Sequence, residues 1–455
     1  MTWIKDAPPP PRHHGIMWRY HPQLLAVAVP RYTSFPTAAE FGDTVGPDDM
    51  HAALDALAPD DAVSLYLHVP YCEQLCWYCG CNTGVANRTL RVAAYMKRLG
   101  EEIDLLATRI GGRRISRIAW GGGSPNAISP AQFDAAMAQL RARFDTSDAQ
   151  ISVELDPRGF DWRWAAAIER NRVTRVSLGV QTLSNHVQAA IGRVQPIARI
   201  ACVMAQLRTA GVGSVNFDLM YGLPGQSRAD LAETLEQAIA MAPDRLAVFG
   251  YAHVPHLIPR QRQIDDSALP DAEARFRQAE LAHFMLTGVG YRAIGFDHFA
   301  LPGDAMAKAA RAGTLKRNFQ GFTEDPADAL VGLGASAISA FPGWLLQNEK
   351  NSGRYHLRIG QGQFAIARGL RRSAADRAHG RAIEQLLCQG QTDLAGLPEL
   401  GDILARLAPF EKAGVAARAG STLRIAPGGV PYARAIAATI DPYRAHSTTR
   451  FSSAV

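Results

Sequence analysis

The sequence has no long uninterrupted apolar run, and this absence excludes a membrane-spanning helix. None of its 455 residues lies in a stretch of about 18 consecutive apolar residues, which is roughly what a bilayer crossing needs. The first residues, MTWIKDAPPPPRHHG, carry a proline run and charges where a secretion signal would carry an apolar core. We therefore expect a cytoplasmic protein with no membrane partner.

Cysteine is scarce, and its distribution argues against a secreted protein stabilised by disulfides. Of the six cysteines, four lie between positions 72 and 81, while Cys202 and Cys388 stand alone. Secreted disulfide proteins are usually short chains with paired cysteines spread along them. Clustered thiols in a long chain indicate metal chemistry in a reducing compartment.

Charged residues make up only 20% of the chain against 47% hydrophobic residues, and this balance excludes an intrinsically disordered protein. The sequence also lacks internal repeats of solenoid length and long low-complexity tracts. The net charge of +6 has two explanations. It serves ordinary solubility, or it belongs to a pocket or surface for an anionic ligand.

A strand, a turn and an amphipathic helix alternate repeatedly through the middle of the chain. This order predicts parallel strands joined by right-handed crossovers, in either a doubly wound sheet or an open barrel. Both architectures place reactive groups at the carboxyl ends of the strands. The predicted strands are Val63–Val69, Arg117–Trp120, Ile151–Leu155, Arg175–Val180, Ser214–Tyr221 and 245–251.

The character of the chain differs on either side of this repeat. Residues 1–60 are irregular and polar, and we expect them to cover the active site of a core formed by residues 61–350. Residues 351–455 are rich in arginine and mainly helical, with a short strand at 423–425. Such a tail can be a DNA-binding wing, but small appended domains more often pack as lids, so we expect no nucleic-acid partner. Because no exposed apolar helix indicates an interface with a partner, we expect a monomer.

Three of the clustered cysteines, Cys72, Cys76 and Cys79, can ligate three irons of a cubane cluster and leave the fourth iron open. That iron can chelate the amino and carboxylate groups of a methionine moiety. A zinc site using all four cysteines is the main alternative, but zinc sites usually combine two separated cysteine pairs. A ferredoxin-type electron carrier would need a fourth ligand and a smaller scaffold.

The cysteine spacing, with the aromatic Tyr78 before the third cysteine, resembles the radical S-adenosylmethionine superfamily. The fuller string from Tyr66 to Cys81 resembles the oxygen-independent coproporphyrinogen III oxidases, and the likeness runs from Arg31–Thr37 to 450–452. This resemblance implies an open, three-quarter (β/α)6 barrel with a [4Fe–4S] cluster on the three cysteines. It also implies bound S-adenosylmethionine, and leaves open whether a second molecule binds.

The resemblance further implies residues that bind the cofactor and residues that act in catalysis. Most of the proposed binding residues follow strands, and the triplet in Trp120–Pro125 lets backbone N–H groups approach a ligand closely. The proposed catalytic residues are Cys81, Tyr66 and His68. The proposed cofactor-binding residues are Tyr66, Tyr78, Gly80, Gly122, Gly123, Ser124, Glu154, Gln181, Arg193, Asp218, Ala252 and Ile338.

The reaction implied by the resemblance is the oxidative decarboxylation of two propionates of coproporphyrinogen III to vinyl groups. A 5′-deoxyadenosyl radical removes a hydrogen atom from each propionate, and an electron donor and an acceptor that the sequence does not identify complete the cycle. A tetrapyrrole with four carboxylates needs cationic contacts, which the arginines of the last third of the chain can supply. A haem-binding chaperone, a haem-degrading or methylating radical enzyme and a non-catalytic iron–sulfur protein are the competing interpretations.

Overall fold

The structure is a computed structural model, and it describes residues 18–86 and 89–444. The amino-terminal proline run and the predicted likeness at 450–452 lie outside the described residues. No helix in the described part of the chain combines the length and apolar character that a bilayer crossing requires.

The described residues form fourteen α-helices, many of which begin at a serine or aspartate that accepts a backbone N–H. They are α1 Pro22–Leu25, α2 Pro47–Asp55, α3 Thr89–Ile110, α4 Pro130–Arg143, α5 Trp162–Arg170, α6 Asn185–Ala190, α7 Ile197–Thr209, α8 Arg228–Ala240, α9 Ala272–Gly288, α10 Ala305–Ala312, α11 Ser352–Gly360, α12 Ala374–Gln389, α13 Leu400–Lys412 and α14 Ala433–Ile440.

The same residues form nineteen β-strands. They are β1 Val63–Val69, β2 Tyr71–Cys72, β3 Gly84–Val85, β4 Ile115–Gly122, β5 Gln150–Leu155, β6 Arg175–Gln181, β7 Ser214–Tyr221, β8 Arg245–Gly250, β9 Arg292–Ile294, β10 His298–Ala300, β11 Lys316–Asn318, β12 Gly321–Thr323, β13 Ala329–Leu333, β14 Ile338–Ala340, β15 Trp344–Asn348, β16 Ile366–Arg371, β17 Gln391–Asp393, β18 Ala416–Ala419 and β19 Thr422–Ile425.

Twelve strands form the central sheet, in the order β16-β15-β14-β13-β1-β4-β5-β6-β7-β8-β10-β9. The strands from β13 to β8 run parallel, and antiparallel strands extend the sheet at both ends. The end strands β16 and β9 do not pair with each other, so the barrel is open. The predicted α/β fold with an open parallel barrel is therefore confirmed.

All six predicted strands are present, as β1 and β4 to β8, and their bounds agree to within about two residues. Alternation explains why β7 could be predicted. Val215, Phe217 and Leu219 are buried towards the helices, while Asn216 and Asp218 alternate with them and face the barrel interior. The prediction missed β13, a seventh parallel strand beside β1.

The polypeptide on either side of the barrel is bound tightly to it. The Tyr32 hydroxyl donates to Asp441 at 3.0 Å, so the amino-terminal segment contacts the last helices. β16 pairs with β15, so the central sheet continues past residue 350 to Arg371. The division at residues 60 and 350 stays a prediction, and the pairing of β16 favours a second boundary near residue 371. The predicted strand at 423–425 is part of β19 in a small three-stranded sheet.

Candidate active site

The cysteine loop follows β1 and is closed at its base by two short parallel strands, β2 and β3. The Gly84 amide donates to the Pro70 carbonyl at 3.0 Å across this base. Near the middle of the loop, the Trp77 amide donates to the Ile191 carbonyl at 3.1 Å. These bonds hold the thiols at the carboxyl ends of the parallel strands, where the sequence predicts a reactive site.

Two arginines donate hydrogen bonds to the buried thiol of Cys76. Arg158 Nη2 lies 3.3 Å and Arg193 Nη1 lies 3.2 Å from Cys76 Sγ. Both guanidinium groups also pair with Asp156, at 2.7 Å and 3.2 Å. Although burial alone would raise the pKa of Asp156, Arg193 and Arg158 hold it below its usual value. Two guanidinium groups that share one carboxylate therefore contact the Cys76 sulfur.

The other thiols of the loop differ from one another in their acidity. A hydrogen bond from the Cys81 thiol lowers the pKa of Cys79 to about 6, whereas burial raises the pKa of Cys72 to about 12. No three His, Cys, Asp or Glu side chains in residues 18–86 and 89–444 converge closely enough to hold a single metal ion. A four-iron cluster distributes its thiolates over separate iron atoms, so it does not require such convergence.

The glycine turn after β4 lies directly against the cysteine loop. The Gly123 amide donates to the Val69 carbonyl at 2.8 Å, and the Ser124 amide donates to the Tyr71 carbonyl at 2.7 Å. A β-carbon at position 123 would lie 2.4 Å from the Tyr71 carbonyl oxygen, so only glycine fits there. Gly122, with φ of 115°, likewise has no room for a β-carbon because the His68 imidazole lies beside it.

Two buried carboxylates face the barrel interior beyond this turn. Burial, with the nearby Asp218, raises the pKa of Glu154 to about 7. Asp218 accepts hydrogen bonds from Ser177 at 2.7 Å and Asn216 at 2.8 Å, and burial raises its pKa. No arginine or lysine forms an ion pair with Glu154 in the described part of the chain. This carboxylate is therefore available to a cationic or hydroxyl-bearing ligand.

Most of the predicted cofactor residues line a single cavity of about 500 Å³, which we call the cofactor cavity. One of them, Gln181, has a buried side-chain oxygen with no hydrogen-bond partner. An orphaned acceptor of this kind is costly unless a ligand donates to it. The predicted residues that border the cavity are Cys72, Cys76, Tyr78, Cys79, Gly80, Cys81, Gly122, Gly123, Ser124, Glu154, Gln181, Arg193, Asp218 and Ala252.

Three predicted site residues do not border this cavity. Tyr66 and His68 lie on β1, with the Tyr66 hydroxyl 3.1 Å from His68 Nδ1. Burial lowers the pKa of His68 to about 4, so this imidazole is neutral near pH 7. The Tyr66 ring also packs edge-on against Phe319, with ring centroids 4.7 Å apart. Ile338 lies elsewhere, on the wall of a second cavity of about 400 Å³.

The structure adds residues at the cofactor cavity that the sequence interpretation did not single out. Arg260 donates to the Thr83 hydroxyl at 3.1 Å, and Gln261 donates to the Tyr78 carbonyl at 2.8 Å. Arg31 donates to the Gly250 carbonyl at 2.9 Å. These contacts join residues that are 177 to 219 positions apart in the chain, so no local pattern predicts them.

The Arg31–Thr37 segment, at which the family resemblance begins, contacts a second segment, Arg317–Thr323, which contains most of the β11–β12 hairpin. The Arg317 guanidinium donates to the carbonyls of Tyr32 and Arg31, both at 3.0 Å. It also stacks over the Phe322 ring at 4.3 Å. Residues of both segments line the cavity at Ile338.

A middle cavity of about 300 Å³ lies between the cofactor cavity and the cavity at Ile338. It shares Glu154 and Asp218 with the cofactor cavity, and Asn318 and Thr323 with the cavity at Ile338. Its base is a set of buried charges that we call the floor cluster: Arg117, Arg175, Arg245, Asp304 and Glu324.

Three arginines of the floor cluster contact one carboxylate. Arg117 Nη2 lies 2.8 Å from Glu324 Oε1, Arg175 contacts the same oxygen, and Arg245 lies 3.6 Å from it. Arg245 also pairs with Asp304 at 2.8 Å. Burial and the two neighbouring arginines lower the pKa of Arg175 to about 9. The three arginines of the floor cluster thus lie close together, and each forms an ion pair with Glu324 or Asp304.

Comparison with known proteins decides the family. The chain is 39% identical over 434 residues to the oxygen-independent coproporphyrinogen III oxidase of Cereibacter sphaeroides, covering 92% of this chain and 95% of that protein. It is 41% identical to the Bradyrhizobium diazoefficiens oxidase, covering 91% and 94%. The chain belongs to the oxygen-independent coproporphyrinogen III oxidase family.

The structural comparison and the family model agree with this membership. The solved structure of the Escherichia coli coproporphyrinogen III oxidase, described as a radical SAM enzyme, matches with a TM-score of 0.87 and 34% identity. The match covers 94% of this chain and all of that one. Residues 66–238 match the radical SAM superfamily, a range that begins at Tyr66 on β1 and ends within α8.

The cofactors of this family, a [4Fe–4S] cluster and S-adenosylmethionine, fit the residues present at the cofactor cavity. The thiols lie at its edge with two guanidinium groups against Cys76. The unpaired Glu154 carboxylate and the orphaned Gln181 oxygen suit an ammonium group or sugar hydroxyls. The chemistry of the donors therefore matches the two cofactors.

Proposed function

We propose that this chain converts coproporphyrinogen III to protoporphyrinogen IX without oxygen, in haem biosynthesis. The observation that carries the proposal is the identity of about 40% to coproporphyrinogen III oxidases over more than nine-tenths of the chain. A cavity that brings three cysteines together with the orphaned Gln181 oxygen and with Glu154, a carboxylate without an ion pair, supports it independently.

When bound, the cluster and S-adenosylmethionine would together supply the one-electron chemistry that removes a hydrogen atom from a propionate of the substrate. That propionate then loses CO₂ and one electron, which passes to an acceptor, and a vinyl group remains. Cys72, Cys76 and Cys79 hold the cluster, and Arg158 and Arg193 stabilise negative charge on Cys76. The remaining proposed residues of the cavity, from Gly122 to Asp218, hold and orient the nucleoside.

The Tyr66–His68 pair has a positioning role in this proposal. Burial keeps His68 neutral and raises the pKa of Tyr66, so the phenol stays protonated within hydrogen-bond distance of His68 Nδ1. His68 in turn lies beside Gly122 of the glycine turn. The pair therefore connects the turn to Phe319 of the Arg317–Thr323 segment. Cys81, beside Cys79, acts near the reacting centre and not as a cluster ligand.

The cellular setting is also proposed. We place the enzyme in the cytoplasm as a monomer, with an electron donor and an acceptor still to be identified. The six cysteines form no disulfide, which supports a reducing compartment. The free thiols at the barrel mouth support access by a redox partner.

An anaerobic assay tests the proposed function. Reconstituted protein, a reductant, S-adenosylmethionine and coproporphyrinogen III should give protoporphyrinogen IX, with one 5′-deoxyadenosine for each propionate lost. Nucleoside formation without loss of CO₂ would contradict the proposal and favour a relative with another substrate. Tight haem binding without turnover would instead favour a haem chaperone.

Two cysteine substitutions separate cluster binding from turnover. Cys76→Ala should abolish the cluster, since it removes a thiolate with two guanidinium donors. Cys81→Ser should keep four irons per chain, measured by iron analysis and electron paramagnetic resonance, and should lose turnover. Loss of iron from Cys81→Ser would show that the assigned role of Cys81 is wrong. Cys202→Ser, at an exposed cysteine away from the loop, is the control.

A further inference from the structure

The cavity at Ile338, which we call the outer cavity, lies between the amino-terminal segment, the edge of the barrel and α12. Its volume is about 400 Å³. Phe35, Phe319, Phe341 and Leu330 give it an apolar wall. A flat apolar ligand with charged substituents would suit such a wall, provided that cations lie at its rim.

Three arginines at the rim of the outer cavity supply those cations, and we call them the α12 arginines: Arg372, Arg377 and Arg381. Arg372 lies just before Ser373, the N-cap residue of α12, and the other two arginines lie four residues apart on one face of the helix. None of the three forms an ion pair with a carboxylate in residues 18–86 and 89–444. The one recorded side-chain bond among them runs from Arg377 to the Arg372 carbonyl, at 2.8 Å.

The carboxylates that border the outer cavity are already engaged with other groups. Asp328 pairs with Lys316 at 2.6 Å, and Asp325 accepts hydrogen bonds from Ser64 and Ser116. Glu384 accepts the Arg317 amide at 2.8 Å, and burial raises its pKa. The protein thus gathers three guanidinium groups at one rim without a carboxylate in ion-pair contact with any of them.

Arg372 is the least solvated of the three, whereas Arg377 is partly buried and Arg381 is exposed. The Nε of Arg372 is buried and has no hydrogen-bond partner, and its guanidinium lies beside Gly380, where a β-carbon would be 3.1 Å from Nη2. Burial lowers the pKa of Arg372, and the nearby Arg377 and Arg381 lower it further, against the opposing effect of Asp376 and Glu384. A half-buried cation without a partner is costly unless a ligand supplies an anion.

The outer cavity is also positioned for a ligand that extends towards the cofactors. Asn318 and Thr323 separate it from the middle cavity, which reaches Glu154 and Asp218 at the cofactor cavity. A macrocycle spanning this space has one edge at the α12 arginines and the opposite edge near the nucleoside.

We propose that the α12 arginines bind the carboxylates of the tetrapyrrole that do not react, and so direct a reacting propionate towards the cofactor cavity. This inference rests on the proposed function and adds the residues that select a polycarboxylate. Guanidinium groups suit this task because each can hold a carboxylate with two parallel hydrogen bonds.

The test is binding of coproporphyrin III, a stable oxidised form of the substrate, to the reconstituted holoenzyme. The variants are Arg372→Gln, Arg377→Gln and the double variant, with fluorescence quenching as the readout. The double variant should lose affinity by about 10-fold to 100-fold, as expected for charged hydrogen bonds. The tetramethyl ester, which lacks the charges, should bind the wild type and the double variant equally. Arg354→Gln, at an exposed arginine outside these cavities, should bind like the wild type.

Unchanged coproporphyrin III affinity in the double variant would overturn the proposal while leaving the proposed function intact. Failure of the wild type itself to bind coproporphyrin III and to convert the reduced substrate would overturn the proposed function. Should the glutamine variants not fold, Arg377→Lys keeps the charge without the two parallel bonds and should bind with intermediate affinity. Wild-type affinity should also fall as salt rises, and a salt-independent affinity would contradict the proposal.

Discussion

The floor cluster and the α12 arginines are two sets of three arginines in one barrel, and they differ in what opposes their charge. Arg117, Arg175 and Arg245 converge on Glu324, with Asp304 as a second carboxylate. The α12 arginines have no carboxylate partner among residues 18–86 and 89–444. Composition alone does not distinguish the two sets, since both consist of arginines beside glutamate and aspartate residues.

This difference distinguishes arginines that stabilise the fold from arginines that bind a ligand. Each arginine of the floor cluster has a carboxylate ion-pair partner in the free protein, so the cluster contributes to the fold that carries the site. The α12 arginines are incomplete in the free protein, and a carboxylate-bearing ligand completes them. At the cofactor cavity the signs are reversed: Glu154 is a carboxylate that forms no ion pair with an arginine or lysine in the described residues.

Glu324→Gln should have the largest effect on stability. The substitution removes the negative charge that three buried arginines share, and breaking a buried ion pair typically costs about 3–5 kcal/mol. Chemical unfolding measures the loss. Glu411→Gln, which breaks a more exposed pair with Arg418, is the matched control and should cost at most about 1 kcal/mol. Equal losses in the two variants would contradict a structural role for the floor cluster.

Glu154 should make stability depend on pH in the protein prepared without S-adenosylmethionine. Its pKa rises from 4.5 to about 7 on folding, so the folded state holds the proton more tightly than the unfolded state. Stability should therefore be fully present below pH 4.5 and fall as the pH rises to about 7, by about 3 kcal/mol from this group.

Unfolding measured between pH 4.5 and 8 tests this dependence. Glu154→Gln should remove this part of the pH dependence, and Glu236→Gln, at an exposed glutamate, should leave it unchanged. If Glu154→Gln has the wild-type pH profile, Glu154 is not the uncompensated acid of the cavity.

The sequence predicts the barrel well because its strands alternate with amphipathic helices. β13 escaped prediction because its five residues, Ala329–Leu333, follow the β11–β12 hairpin and its loop instead of a helix.

The cofactor residues were predicted through the resemblance, at successive strand ends. Arg31 and Arg260 were not, because their contacts join distant parts of the chain. The sequence also could not predict which arginines face the substrate. Whether an arginine forms an ion pair depends on which residues the fold brings next to it.

Thermal unfolding of the holoenzyme with and without coproporphyrin III tests the contrast most directly, because one series reports both stability and binding. The Arg372→Gln/Arg377→Gln double variant should unfold near the wild-type temperature and lose most of the stabilisation by the ligand. Glu324→Gln, in the floor cluster but not on the wall of any of the three cavities, should unfold at a lower temperature and keep the ligand shift. The reverse pattern, with the floor variant losing the shift and the α12 variant losing stability, would contradict the account.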